Sequence, residues 1–111
     1  MSTGSSTLLG TWETMAPEQW IRSKDAGPKV DVYALGVLLF RMLAGRLPLV
    51  AEEQKDLMYL HLFEPPPLGM LDEVARPEVR ALVARMLEKK PSLRPTMREI
   101  EEVIAGLQGD R

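Results

Sequence analysis

The feature that most constrains the fold of this 111-residue chain is a long apolar segment at about residues 30–44. Its apolar side chains fall on every side of a helical projection, and a helix of this kind must be buried around most of its circumference. Gly45 follows the segment, and glycine is the residue that most often ends a helix. We therefore expect the fold to be built around one buried helix. A buried β-strand is the alternative interpretation, but the run is longer than a strand usually is.

Shorter helices are predicted on both sides of this segment. Residues 17–23 have the length of one or two helical turns, and residues 51–62 form a weaker helical stretch. A clear amphipathic helix starts at Pro77, with apolar residues at helical spacing. The last helix has a capping box, Thr96 with Glu99 three residues later. Since no segment alternates strongly between apolar and polar residues, the fold class is predicted to be all-α.

Composition and charge argue against several classes of function. Lys and Arg number 14 against 16 Asp and Glu, a formal net charge of −2, so nothing favours binding to nucleic acid or to an anionic membrane. The sequence has no cysteine, which excludes disulfides and cysteine metal sites. The longest apolar run is too short for a membrane span, and residues 1–7 do not resemble a secretory signal. We expect a cytoplasmic protein with no nucleic-acid or membrane partner.

Three stretches of the chain, GTWETMAPEQ, DVYALGVLL and PSLRPT, resemble in this order motifs of serine/threonine protein kinases, those of bacteria in particular. Residues 10–19 read GTWETMAPEQ and look like the end of a kinase activation segment. Residues 31–39 read DVYALGVLL and resemble the start of the family's buried F-helix, and residues 91–96, PSLRPT, resemble the segment before its last helix. The resemblance covers about residues 7–107. It implies the C-terminal lobe of the protein-kinase-like fold, with amphipathic helices packed around one buried central helix.

The resemblance gives structural roles to seven residues of these motifs: Thr11, Ala16, Pro17, Glu18, Asp31, Gly36 and Arg94. It implies a buried ion pair between Glu18 and Arg94, because a planar guanidinium fits a carboxylate through two hydrogen bonds. It implies that Asp31 holds the catalytic loop and that Thr11 contacts catalytic residues, but those partners are missing from this chain. Without replacement donors, we expect Asp31 to be a partly buried and unsatisfied charge. Thr14 departs from the pattern, since the family usually has an aromatic residue there.

The resemblance also divides the chain. We expect residues 1–9 to be a flexible, Ser/Thr-rich N-terminus and residues 10–108 to be a partial protein kinase domain. Candidate phosphorylation sites, by analogy with activation loops, are Thr3, Ser5, Ser6 and Thr7. A flexible polar N-terminus without modification is the alternative. His61 is the only histidine, lies in a leucine-rich segment, and is predicted to be a packing or surface residue, not a ligand or a base.

The residues that phosphoryl transfer needs are missing from the chain. No two glycines are separated by one residue, the only histidine is followed by Leu62, no aspartate is followed by phenylalanine, and there is no asparagine. The glycine-rich loop, the H-R-D and D-F-G motifs and a second Mg²⁺ ligand are therefore absent. We predict no catalytic, cofactor-binding or metal-binding residue here and no activity of the isolated chain, although the full-length family implies ATP and Mg²⁺.

Two functions stay open at this point. The first is a part of a serine/threonine protein kinase, whose family activity is ATP-dependent phosphorylation of Ser and Thr in proteins. Its partner would be the missing N-terminal kinase portion, a kinase or a substrate protein. The alternative is a stand-alone, pseudokinase-like helical module for protein interaction, and an unrelated all-α scaffold remains a third interpretation. Without the upstream segment, we expect partial exposure of apolar side chains among Leu35, Leu38, Leu39 and Met42.

Overall fold

The computed structural model describes residues 11–22 and 24–109, and within these ranges it contains helices and no strand. The all-α prediction is confirmed. The helices, in chain order, are α1 (Thr11–Thr14), α2 (Pro17–Ile21), α3 (Pro28–Ala44), α4 (Gln54–Phe63), α5 (Pro77–Met86) and α6 (Met97–Gln108). Two short 3-10 helices, Leu68–Leu71 and Pro91–Leu93, precede and follow α5. None of the described helices combines the length and the apolar character that a membrane crossing requires.

Helix α3 is the central element, as the sequence predicts. Pro28 occupies its first position, where the missing N–H is not needed. Gly45 ends it in the left-handed conformation, with φ of 83°, and its N–H donates to the Arg41 carbonyl at 2.9 Å. This conformation carries a steric penalty for residues with a Cβ, which is why glycine suits the position.

The burial of α3 is one-sided rather than complete. Its buried residues are Val32, Tyr33, Gly36, Val37 and Phe40. Other apolar residues of the same helix, Leu35, Leu38 and Leu39, are half-buried, and Met42 is 78% exposed. The expected partial exposure of these side chains is confirmed, so part of the surface of the central helix has no cover within the described chain.

Two buried clusters connect α3 to its neighbours. The first joins α3 to the start of α2, the first 3-10 helix and α5, and consists of Ala16, Tyr33, Val37, Phe40, Leu71, Val83 and Leu87. The second joins α3 to α5 and α6, and consists of Val32, Leu82, Met86 and Ile100. Because α5 contributes to both clusters, it is the main packing partner of α3.

The helix boundaries follow local signals where such signals exist. Helix α5 begins at Pro77 as predicted, and α4 begins three residues later than the predicted 51–62 stretch. Helix α1 was not predicted. A single turn is too short to show apolar periodicity, so no sequence pattern could have indicated it.

The capping box of α6 provides a first test of these local signals. The Glu99 N–H donates to Thr96 Oγ1 at 3.0 Å, and the Thr96 N–H donates to Glu99 Oε1 at 2.8 Å. We expect Thr96→Ala to lower the free energy of unfolding by about 1 kcal/mol, because one N–H of the first turn loses its acceptor. Urea unfolding measures this loss. Thr96→Ser retains the hydroxyl and serves as the control, and equal stability of the Ala and Ser variants would contradict the cap.

Candidate functional site

The residue with the most polar contacts in the described chain is Arg94, which lies between the second 3-10 helix and α6. Its side chain has no exposed surface. Nη1 donates to Glu18 Oε2 at 2.8 Å, and Nη2 donates to Glu18 Oε1 at 2.8 Å. The ion pair expected between these two residues is therefore present, and it has the two-bond geometry that gives such pairs their directionality.

The remaining donors of Arg94 bind backbone carbonyls. Nη1 also donates to the Lys29 carbonyl at 2.9 Å, Nη2 to the Lys89 carbonyl at 3.1 Å, and Nε to the Glu88 carbonyl at 2.7 Å. A guanidinium has five N–H donors, and each of them has an acceptor here. The side chain thus joins α2, the start of α3 and the segment after α5 while leaving no buried donor unsatisfied.

Glu18 lies in the first turn of α2, and its side chain is 19% exposed. Partial burial by itself raises the pKa of this carboxyl, but the hydrogen bond and charge of Arg94, with a backbone hydrogen bond, outweigh it and hold the pKa below its usual value. The turn is fixed locally, because Gln19 Oε1 accepts the Ala16 N–H at 3.1 Å and Pro17 occupies the first helical position. The carboxylate is therefore ionised at neutral pH and held in place from both sides.

An aromatic layer lies against this ion pair. Arg94 Cζ is 4.9 Å from the centroid of the Tyr33 ring, a distance at which a cation is attracted to the ring face. The Tyr33 hydroxyl is 2.7 Å from His61 Nδ1, and the imidazole is stacked on Trp20 with the ring centroids 6.1 Å apart. His61 is fully buried, so of the two predicted alternatives, a packing residue or a surface residue, the structure shows the packing residue. The network thereby extends from Arg94 to α4.

Two lysines also contact this region through backbone carbonyls. Lys29 Nζ donates to the Arg94 carbonyl at 2.6 Å, and Lys89 Nζ donates to the Leu60 carbonyl at 3.3 Å. Burial lowers the pKa of Lys89 to about 8; the nearby Arg94 acts in the same direction and Glu64 opposes it. No sequence pattern singles out these lysines, because their acceptors are backbone atoms of distant residues.

The other residues that the resemblance singled out have different surroundings. Ala16 and Pro17 are buried, and Gly36 is buried where α3 meets α5. Asp31 is exposed in the first turn of α3, so the expectation of a partly buried charge is wrong: nothing in the described chain covers its side chain. Thr11 is the first residue of α1, and its side chain is not among those that the structure describes. The candidate phosphorylation sites Thr3, Ser5, Ser6 and Thr7 lie outside the described residues.

One cavity of the described chain has a lining that does not suit ATP. A cavity of about 190 Å³ between α1 and the start of α4 is lined by three carboxylates, those of Glu13, Glu52 and Glu53, which would repel a polyphosphate. Across residues 11–22 and 24–109, no three His, Asp or Glu side chains are grouped to hold a metal ion. The arrangement around Arg94 contains no exposed nucleophile or base, and what it can do is hold chain segments together.

Comparison with known protein families confirms the resemblance. The family pattern described as "Protein kinase domain" matches residues 1–103. The chain belongs to the protein kinase family. Similar proteins include the serine/threonine-protein kinase PksC of Streptomyces coelicolor, 37% identical over 89 residues, which are 78% of this chain and 16% of that kinase. The serine/threonine-protein kinase PknA of Mycobacterium tuberculosis is 35% identical over 92 residues, 83% of this chain and 21% of PknA. An Aurora kinase of Eremothecium gossypii is 40% identical over 96 residues, 86% of this chain and 25% of that kinase.

The chain spans a quarter or less of the length of these kinases. The predicted resemblance to the C-terminal lobe of a bacterial-type serine/threonine kinase is confirmed, and the helical structure is compatible with that lobe. In kinase terms, the segment that contains α1 and α2 includes residues 11–19 of the GTWETMAPEQ motif, and α3 carries DVYALG. Arg94 therefore connects the first motif to the PSLRPT motif, 76 residues away along the sequence.

Sequence reasoning missed the contacts of Tyr33 and His61. Both residues lie in strongly apolar helices, and a polar side chain in such a helix indicates a buried hydrogen bond. That signal marks each residue but does not pair them, because they are 28 positions apart on different helices.

Proposed function

We propose that this chain is the C-terminal part of a serine/threonine protein kinase, with residues 10–108 forming a partial kinase domain. The observation that carries the proposal is the fully hydrogen-bonded Glu18–Arg94 pair, which fixes the α1–α2 segment to the loop before α6. Its role is to position that segment, and the catalytic residues lie in the missing N-terminal portion. The activity of the whole protein is then transfer of the ATP γ-phosphate to Ser or Thr of a protein substrate.

The uncovered surface of α3 supports a missing portion of this kind. Met42 is 78% exposed, and Leu38 is only half-buried, on the helix around which the fold is built. An apolar surface of this kind on a central helix is typical of an interface. We infer that the upstream kinase portion covers it and supplies backbone donors to the exposed Asp31. In that portion ATP and Mg²⁺ would bind, and a cytoplasmic location remains part of the proposal.

The natural gene product tests the proposal directly. Peptides of this chain, detected by mass spectrometry in extracts of the source cells, are expected in a protein well above the 12.5 kDa of the chain. That protein, once purified, is expected to transfer radioactive phosphate from ATP to a protein substrate, whereas the 111-residue chain alone is expected to transfer none. A large product that folds, binds ATP and transfers no phosphate would contradict the kinase function.

The alternative is a stand-alone module for protein interaction, and one observation favours it. Tyr59 and Phe63 are 59% and 65% exposed on α4, with their ring centroids 5.0 Å apart. Exposed aromatic residues in contact are common at protein interfaces. A natural product of about 12.5 kDa without phosphate transfer would favour this second function over the first. Phosphorylation at Thr3, Ser5, Ser6 or Thr7 stays a prediction under either function.

A further inference from the structure

His61 is a buried titratable group that neither function uses. It lies on α4, has no exposed surface, and contacts α3 through the Tyr33 hydroxyl and α2 through the Trp20 ring. Its ring is therefore the point at which α4 meets both helices. The stacking on Trp20 has an angle of 24° between the ring planes, whereas the ring of Tyr33 meets the imidazole at 61°.

The hydrogen bond to Tyr33 requires a particular protonation state of the imidazole. Burial raises the pKa of the Tyr33 phenol, so its hydroxyl keeps its proton and needs an acceptor. Since the described chain offers this hydroxyl no other acceptor, the role is assigned to Nδ1 of a neutral imidazole, and that assignment places the ring proton on Nε2. An imidazolium carries N–H on both nitrogens and cannot accept from the phenol. Protonation would therefore leave the buried Tyr33 hydroxyl without its acceptor.

The charges around His61 also disfavour an imidazolium. The titratable and charged groups on the surrounding elements are Glu13 on α1, Glu18 on α2, Tyr33 on α3, Glu64 after α4, and Lys89 and Arg94 before α6. The Glu18 carboxylate is already paired with Arg94 and is not free to neutralise an imidazolium. Burial and, next, the positive charge of Lys89 lower the pKa of His61 to about 4, against a smaller opposing effect of the Glu13 backbone.

We propose that His61 is an acid-sensitive contact: α4 stays docked on α2 and α3 while the imidazole is neutral, and protonation of His61 releases α4. The inference concerns the docking of one helix and stands whether or not the chain is part of an active kinase. The proton is the ligand of this contact. Its binding to His61 affects α4 through the phenol of Tyr33 and the ring of Trp20.

The direction of the pH dependence follows from proton binding. The unfolded chain binds a proton at His61 near the ordinary histidine pKa of 6.5, and the folded chain binds it only near a pKa of about 4. Stability from this site is therefore complete above pH 6.5 and is lost as the pH falls towards 4. Between pH 7.5 and pH 5, the equilibrium constant for folding is expected to fall by about 25-fold through His61 alone.

Titration of the histidine signal by NMR is the first test, and the single histidine makes its assignment unambiguous. In the 111-residue chain, the imidazole carbon and proton shifts are expected to stay constant from pH 7.5 to pH 5 while circular dichroism shows helix. Tyr59→His is the matched control, because position 59 is exposed on the same helix and the second imidazole is expected to titrate near pH 6.5. A His61 signal that titrates near 6.5, with or without retained helix, would overturn the inference.

Unfolding by urea at several pH values is the second test. His61→Asn places a non-titrating acceptor near the position of Nδ1, so the variant is expected to lack the 25-fold loss between pH 7.5 and pH 5, and that loss is expected to appear as the difference between the original chain and the variant. The carboxylates that both proteins share cancel in that difference. An identical pH dependence of the two proteins would overturn the inference, and the NMR titration decides it even where His61→Asn does not fold.

Discussion

Arg94→Ala is expected to lower the free energy of unfolding by roughly 3–5 kcal/mol, the largest effect of any single change considered for this chain. The substitution leaves the Glu18 carboxylate, 19% exposed, without its cation. It also removes the donors that satisfy the carbonyls of Lys29, Glu88 and Lys89. The loss of these part-buried hydrogen bonds is included in that figure. Urea unfolding followed by circular dichroism measures the change.

Two further variants test whether the buried geometry of the pair, rather than its charge alone, causes the loss of stability in Arg94→Ala. Arg94→Lys keeps the charge, but an ammonium cannot reproduce the fork of donors, so most of the loss is expected to remain. Arg98→Ala is the matched control, because Arg98 is 88% exposed and its nitrogen is 3.9 Å from Glu102. We expect that control to change stability by about 0.5 kcal/mol or less. A loss of only a few tenths of a kcal/mol in Arg94→Ala would contradict a structural role for the pair.

Gly36→Val is expected to lower the free energy of unfolding by roughly 3 kcal/mol. A Cβ at Gly36 would lie 2.9 Å from Met86 Cβ and 3.1 Å from Leu87 Cδ2. Met86 Cβ is attached directly to the backbone of α5, so rotation of a side chain cannot relieve the contact. The two helices would have to separate, and both buried clusters contain residues of each helix. Thermal or urea unfolding measures the loss.

The same substitution in α6 is the control for Gly36→Val. Gly106 is exposed, and a Cβ there would meet no atom within 4 Å. Valine has a somewhat higher helix propensity than glycine, so Gly106→Val is expected to change stability by less than about 0.5 kcal/mol, in the stabilising direction. If both valine variants had the same stability, the close approach of α3 and α5 at Gly36 would not be the cause of the first effect.

The sequence predicted those features that depend on neighbouring residues. Pro77, the Thr96–Glu99 capping box and Gly45 each act within one helical turn, and the structure contains each of them at the predicted helix end. The 30–44 segment also predicted the central helix, although the described chain buries that helix mainly on one side and not around most of its circumference. The short helix α1 was missed, since one turn leaves no periodic pattern for the sequence to show.

The candidate site was predictable only in part. The kinase resemblance paired Glu18 with Arg94, but it gave no sign that three backbone carbonyls complete the hydrogen bonding of Arg94. It led to a wrong expectation for Asp31, whose side chain is exposed because no described segment packs over it. The burial of a charged side chain depends on what packs over it, and that is a property of the assembled fold.

The sequence by itself determined the class of the fold, the ends of its main helices and membership of the protein kinase family, because these follow from residues close together or from motifs in a fixed order. Only the tertiary structure decided that His61 meets Tyr33 and Trp20 and that Gly36 meets Met86. The residues in each of these contacts lie on different helices, and their distances are set by how the helices pack around α3. The local sequence predicts the helices of this protein, and the packing of those helices decides which polar groups are buried between them.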